Sequence, residues 1–160
     1  TTLLQLSKGY SIISNGGYEV TPTLLEKEKL QRQRILNENL SETINPILRK
    51  IVSTKEGTAG FANVKGYEIG GKTGTADQPS KGGYSKKKVN TFASVFPTSD
   101  PKFVLAVMLD EPKANREFVY HYRDDRYPYK GNWRNTAGWT TVWVTGQIMD
   151  KIGPILATKY

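Results

Sequence analysis

The sequence predicts an α/β chain of the α+β kind, an antiparallel sheet covered by helices. Three observations carry that expectation. The runs Tyr67 to Ala76, Val89 to Phe96 and Phe103 to Leu109 read as strands. The links between them bear turn signals: Asp77 to Lys88 holds Pro79, Gly82 and Gly83, and Pro97 to Lys102 is a tight turn. Short links of this kind favour antiparallel neighbours, so the three runs should lie side by side in chain order. Stretches before and after them repeat apolar residues at helical spacing.

Taken in order, Leu3, Leu6, Tyr10 and Ile13 mark a first helix, which Gly16-Gly17 stops. Tyr18 to Leu25 is a short extended piece broken by Pro22, and Glu26 to Gln33 is a charge-dense solvated excursion. Ile44, Ile47, Leu48, Ile51 and Val52 form the apolar stripe of a second helix. Ser41 is its expected N-cap, Pro46 makes its start irregular, and Gly57 to Gly60 ends it. Phe103 to Leu109 is apolar throughout, as expected of a strand covered on both faces, and Asp110-Glu111-Pro112 stops it. Asp77 to Lys88 reads as a loop. Lys113 to Gly138 is long and polar with interleaved aromatics. Thr140 to Met149 is a last helix, interrupted or ended at Gly153-Pro154.

The chain has 160 residues, the length of one domain. It opens directly in helical sequence without a methionine, so it is expected to be a piece of a longer protein. Its longest apolar run, Phe103 to Leu109, is far short of the roughly 20 residues of a membrane helix. Without cysteine it has no disulfide or thiolate chemistry of its own. The net charge of +8 fits a plain basic surface, or attraction to anionic cell-wall polymer, anionic lipid or nucleic acid.

The densest chemistry is in Gly70-Gly71-Lys72-Thr73-Gly74-Thr75-Ala76. On a strand, Thr73 and Thr75 share one face and Lys72 takes the other. Gly74 lets a ligand approach the backbone. Two hydroxyls, exposed N–H groups and a lysine suit an anionic substrate lying along a strand edge. Gly66 to Thr73 also formally matches a P-loop, and Phe103 to Leu109 followed by Asp110-Glu111 imitates a magnesium-holding strand. A P-loop needs a helix from about Thr73, and Gly74, Pro79, Gly82 and Gly83 would break it. A nucleotide site is not expected.

The stretch resembles the Lys-Thr-Gly-Thr box of penicillin-binding proteins, the serine D,D-transpeptidases that cross-link peptidoglycan. Tyr18 to Pro22 after Asn15-Gly16-Gly17, Glu56-Gly57-Thr58, Gly83-Tyr84, Phe92 to Pro97, Asp100-Pro101 and Phe103 to Pro112 follow in the family's order. Together they look like the C-terminal half of a class B enzyme of the septal, cell-division type, with residues 1–160 one part of a single transpeptidase domain. The similarity thins at Glu26 to Leu40 and Asn115 to Arg134. The resemblance implies no cofactor. It implies a peptidoglycan stem peptide ending in D-Ala-D-Ala as substrate, β-lactams as covalent ligands, and divisome membrane proteins as partners. It places the enzyme at the periplasmic face of the inner membrane, anchored by an upstream segment.

By the same resemblance, Lys72 and Thr75 are catalytic and Thr73, Gly74 and Thr75 bind substrate. The Thr75 N–H would be one arm of an oxyanion hole. The Thr73 and Thr75 hydroxyls would hold the substrate carboxylate, and Lys72 would neutralise it. The family also needs a Ser-x-x-Lys nucleophile and a Ser-x-Asn relay. No serine here is followed two residues later by asparagine. Ser85-Lys86-Lys87-Lys88 fits the first on paper, but lies after the Lys-Thr-Gly box and in a basic loop instead of at a helix start. The 160 residues alone are therefore expected to be inactive.

His121, the single histidine, reads as structural or solvent-exposed, and no metal-ligand cluster is visible. Tyr120 to Arg134 mixes arginines with aromatics, which could stack nucleic-acid bases, but reads better as a loop packing its rings on its own surface. Nucleic acid is not an expected partner. The competing reading from another class is a non-catalytic basic interaction module that binds cell-wall polymer or nucleic acid.

Overall fold

The computed structural model of the chain describes residues 1–25, 32–113, 117–121, 129–130 and 134–158. Helix α1 (Leu3–Ser14) begins at a capping box: Gln5 N–H donates to Thr2 Oγ1 at 3.1 Å and Thr2 N–H to Gln5 Oε1 at 2.9 Å. The chain leaves it through Gly16 and Gly17, both at positive φ, and Gly17 N–H reaches back to Ile12 O. The excursion after it has a closed stem, with Glu19 N–H on Gln33 O and Ile35 N–H on Gly17 O. The expected extended piece at Tyr18 forms only a single bridge to Arg34, and residues 26–31 lie outside the described residues.

Helix α2 (Asn39–Ser53) corrects the expectation at Ser41. The helix starts two residues earlier and runs unbroken through Pro46. Ser41 is buried in its first turn, accepting from Gly16 N–H and donating to Ile13 O, both at 2.7 Å. Asn45 Nδ2 donates to Ser14 O. The buried stripe is therefore Ser41, Asn45, Leu48 and Val52, polar at one end because there it satisfies the last carbonyls of α1. Ile47, expected in the stripe, is 48% exposed.

Strands β1 (Gly70–Ser80), β2 (Gly83–Phe96) and β3 (Phe103–Asp110) form one antiparallel sheet in the order β1-β2-β3. The order is as expected; the bounds are not. Asp77 to Lys88 is no loop. β1 and β2 are one long hairpin closed at Lys81-Gly82, with Gly82 at φ 88° and Gly83 at φ 150°. Pro79 is tolerated because β1 is an edge strand, and the register shifts between Asp77 and Pro79. β1 also starts three residues late, leaving Tyr67 to Ile69 as an approach held by Arg49, whose Nη1 donates to Ile69 O at 2.8 Å.

The pleat divides the sheet. Phe92 and Phe96 of β2 pack with Ile69, Val52 and two residues of α3 (Thr141–Ala157), Val142 and Met149, in the core. On the other face Ala93 and Val95 are buried, and Gly70, opposite Val95, has the Leu48–Arg49 backbone of α2 against it. β3 lies at the outer edge and is half-buried, with Met108 48% exposed. Helices α1 and α3 both pack against it, so the expected cover is present but partial. α3 continues through Gly153-Pro154 to Ala157, where a break was expected.

The polar stretch before α3 holds a two-residue ladder between β4 (Val119–Tyr120) and β5 (Tyr129–Lys130). Tyr120 is 5% exposed and packs on Phe61, Phe118, Trp139 and Trp143. Its ring joins a cluster shared with two short 3₁₀ turns, Gly60–Ala62 and Ala137–Trp139, and with α3. Tyr120 thus packs on the protein itself, on Phe118 of its own stretch and on neighbouring elements, and is not presented to a nucleic-acid base. Tyr122, Tyr127 and Trp133 lie outside the described residues.

Candidate active site

Lys72, Thr73, Gly74 and Thr75 lie on β1, opposite Ala93, Phe92, Thr91 and Asn90 of β2. Strand alternation puts both hydroxyls on one face and Lys72 on the other, as the sequence predicts. β1 has a strand neighbour on one side only among the described residues, so its outer edge is open. No helix starts at Thr73, which removes the local structure that a P-loop requires.

Each side chain has a definite partner. Thr73 Oγ1 lies 3.2 Å from Thr58 Oγ1, and Thr75 Oγ1 accepts the Ala137 N–H at 3.0 Å. The exposed Lys72 folds back so that Nζ donates to Thr73 O at 2.8 Å. A Cβ at Gly74 would lie 2.5 Å from Thr91 Oγ1, and one at Gly71 would lie 2.6 Å from the Phe92 ring. The space at Gly74 is therefore filled by the neighbouring strand. The face of Gly74 is the one away from the Thr73 and Thr75 hydroxyls.

Thr58 and Ala137 were missed by the sequence reading of the site. Glu56-Gly57-Thr58 stood out only as part of the resemblance, and no local spacing ties Ala137 to a strand more than sixty residues earlier. The aromatic cluster on Tyr120 borders the same corner, because Trp139 belongs to the turn that Ala137 opens.

Neither serine-lysine pair has the form of a nucleophile. Ser85 and Lys88 are on β2, not in a loop, and three positions along a strand put them on opposite faces. Lys88 pairs with Asp77 and Lys87 with Glu111. A second formal match, Ser99-Asp100-Pro101-Lys102, escaped the sequence reading. It sits in the β2–β3 turn, where Ser99 N–H bonds Glu68 and Lys102 pairs with Asp100. A helix presenting a serine with its lysine one turn on does not occur among the described residues.

A separate cleft of about 380 Å³ opens beside that turn, floored by Tyr67, Phe96, Phe103 and Met149, and contains none of Lys72 to Thr75. His121 is exposed. Among the described residues, no three His, Asp or Glu side chains converge as metal ligands, and no helix is long and apolar enough to cross a membrane.

A family model described as the penicillin binding protein transpeptidase domain matches residues 1–126. Among similar proteins, a probable peptidoglycan D,D-transpeptidase FtsI of Caulobacter vibrioides is 30% identical over 169 residues, covering 98% of this chain and 26% of its own length. The penicillin-binding protein PbpB of Mycolicibacterium smegmatis is 33% identical over 131 residues, covering 70% of this chain and 20% of its own length. The chain thus spans about a fifth to a quarter of the length of these two relatives. The TP domain of penicillin-binding protein 3 from Burkholderia pseudomallei aligns over 97% of this chain and 43% of that one, with a TM-score of 0.74 at 24% identity. Penicillin-binding protein 3 of Mycobacterium tuberculosis, solved in complex with aztreonam, aligns over 96% of this chain and 36% of that one, with a TM-score of 0.67 at 26% identity.

Proposed function

Since the chain belongs to the penicillin-binding protein transpeptidase domain family, we propose that β1 is the carboxylate-binding wall of a serine D,D-transpeptidase that cross-links peptidoglycan. The observation carrying this reading is the Lys72-Thr73-Gly74-Thr75 box on an open-edged strand, its two hydroxyls on one face. Residues 1–160 make up one part of the transpeptidase domain. The nucleophilic serine, the Ser-x-Asn relay and the membrane anchor come from elsewhere in a longer protein, which works at the periplasmic face of the inner membrane among divisome partners.

In the proposed reaction the serine oxygen bonds to the penultimate D-Ala carbonyl carbon of a stem peptide. The amide to the terminal D-Ala breaks and its nitrogen takes a proton. An amine of a neighbouring stem then forms the new amide and the serine recovers its proton. The Thr75 N–H stabilises the oxyanion in both steps. The Thr73 and Thr75 hydroxyls hold the terminal carboxylate, which Lys72 neutralises. A β-lactam is captured by the first step alone.

The test is mass spectrometry after exposure to a β-lactam. The full-length protein should be acylated and residues 1–160 alone should not. Lys72→Ala should slow acylation by about one to two decades, the worth of a charge-assisted contact of roughly 1.5–3 kcal/mol. Ser85→Ala should change nothing. An adduct on Ser85, or normal labelling of Lys72→Ala, removes the assignment. The second reading, a basic interaction module, draws on the net charge of +8 and on Tyr84, 78% exposed in a lysine-rich hairpin. It requires steep salt-sensitive binding to polyanions without any acylation.

A further inference from the structure

We propose that Thr58 is a positioning residue which, with the Ala137 N–H, aims the Thr73 and Thr75 hydroxyls as donors at an anionic substrate group. This rests on the reading that those two hydroxyls hold the substrate carboxylate.

The contacts form a closed ring. Thr58 Oγ1 is 3.2 Å from Thr73 Oγ1. The Thr58 carbonyl lies so close to Gly138 that a Cβ there would come within 2.6 Å of it. Gly138 sits in the 3₁₀ turn opened by Ala137, whose N–H bonds Thr75 Oγ1 at 3.0 Å. Thr73 and Thr75, two apart on one strand face, close the ring.

The donor and acceptor roles follow from counting hydrogens. A hydroxyl has one hydrogen and two lone pairs, whereas a backbone N–H only donates. Thr75 Oγ1 therefore accepts from Ala137, and its single hydrogen stays available for a ligand. Between Thr58 and Thr73 either oxygen can donate. An anion beside Thr73 takes the Thr73 hydrogen, and Thr58 then turns its own hydrogen onto Thr73. Both hydroxyls on β1 are thereby donors to the ligand, an arrangement that favours a carboxylate over a neutral ester because charge-assisted bonds are the stronger ones. Thr58 is itself exposed, so removing its hydroxyl opens no buried cavity.

The experiment compares acylation of the full-length protein by benzylpenicillin and by its carboxyl methyl ester. Thr58→Val should lower the acylation rate constant for the acid by roughly two- to tenfold, the effect of one hydrogen bond. The ester should be affected less, so that selectivity for the anion narrows, and Thr58→Ser should restore it. A folded Thr58→Val that acylates normally, or that slows acid and ester equally, overturns the positioning role. If Thr58→Val loses its thermal transition, Gly138→Ala is the second variant. It displaces the turn and the Ala137 N–H and should narrow the same selectivity; unchanged selectivity overturns the proposal. A wild-type protein that takes up no penicillin overturns the transpeptidase reading and this one with it. A labelled wild type with unaltered variants overturns this one alone.

Discussion

Asn90 joins the middle of the sheet to the start of α3. It is fully buried, and its Nδ2 donates to Thr140 Oγ1 at 2.9 Å and to Asn135 Oδ1 at 3.0 Å. It also lies opposite Thr75, so its side chain leaves the sheet on the same face as the Thr75 hydroxyl. Asn90→Ala should destabilise the fold by about 1–3 kcal/mol, because two acceptors lose their donor in a buried setting; urea denaturation measures it. Glu68 behaves differently, being almost fully solvated. Hydrogen bonds from the Ser99 side chain, and then from its backbone, hold the Glu68 carboxyl below its usual range. A lowered folded value means stability that is present above the unfolded pKa and lost as pH falls through the folded one. The melting temperature should therefore fall less between pH 5 and strongly acid solution in Glu68→Gln than in the wild type. An identical acid limb in both would show that the bond has no energetic weight.

At the scale of elements, β2 is the central strand and Phe92 its anchor, with no exposed surface. Phe92→Ala should cost about 3–5 kcal/mol, whereas Tyr84→Ala, at the exposed end of the same strand, should change stability by no more than about 0.5 kcal/mol. The contrast explains what was legible. The apolar half of the hairpin, Val89 to Phe96, is visible as a strand from composition alone. The half from Asp77 to Lys88 is lysine, glycine and proline, and local propensity argues against it. It is a strand because the ladder begun at Gly70 continues outward and closes on two glycines at positive φ. Ser41 misled for a related reason. A serine ahead of an apolar stripe looks like a cap, but here its hydroxyl closes the preceding helix. Pro154 likewise looked like a stop, yet α3 runs through it on its exposed side while Val142 and Met149 hold the helix on the core.

For the whole molecule, the described ion pairs are exposed at one or both partners, and the net charge is +8. Exposed pairs contribute little, while self-repulsion of like charge acts throughout the surface. Added sodium chloride should therefore raise the melting temperature as it screens that repulsion. A steady fall with salt would mean that the pairs outweigh it. The site shows the same division between local and distant information. Lys72 to Thr75 and their alternation on a strand could be read directly, because a strand's two faces are a property of consecutive residues. Thr58 and Ala137 could not, since each reaches β1 only after α2, the sheet and α3 have docked.

The glycines of β1 have a consequence for how the chain tolerates insertions and deletions. A two-residue slip of β1 along β2 would keep every side chain on its proper face, so the pleat alone does not forbid it. Moved that way, Ile69 or Thr73 would stand where Gly71 clears the Phe92 ring, and Lys72 or Ala76 where Gly74 clears Thr91. The two strands are thus keyed like a lock and its wards, at the very residues that flank the hydroxyls. Beyond the register shift at Asp77 and Pro79 the keying ends. Two residues inserted between Lys81 and Gly82 should leave the thermal transition and β-lactam labelling of the full-length protein intact, while two inserted between Gly71 and Lys72 should abolish both. The tip of the hairpin is where the length of this chain is free to drift, and the strand beneath it is where it is not.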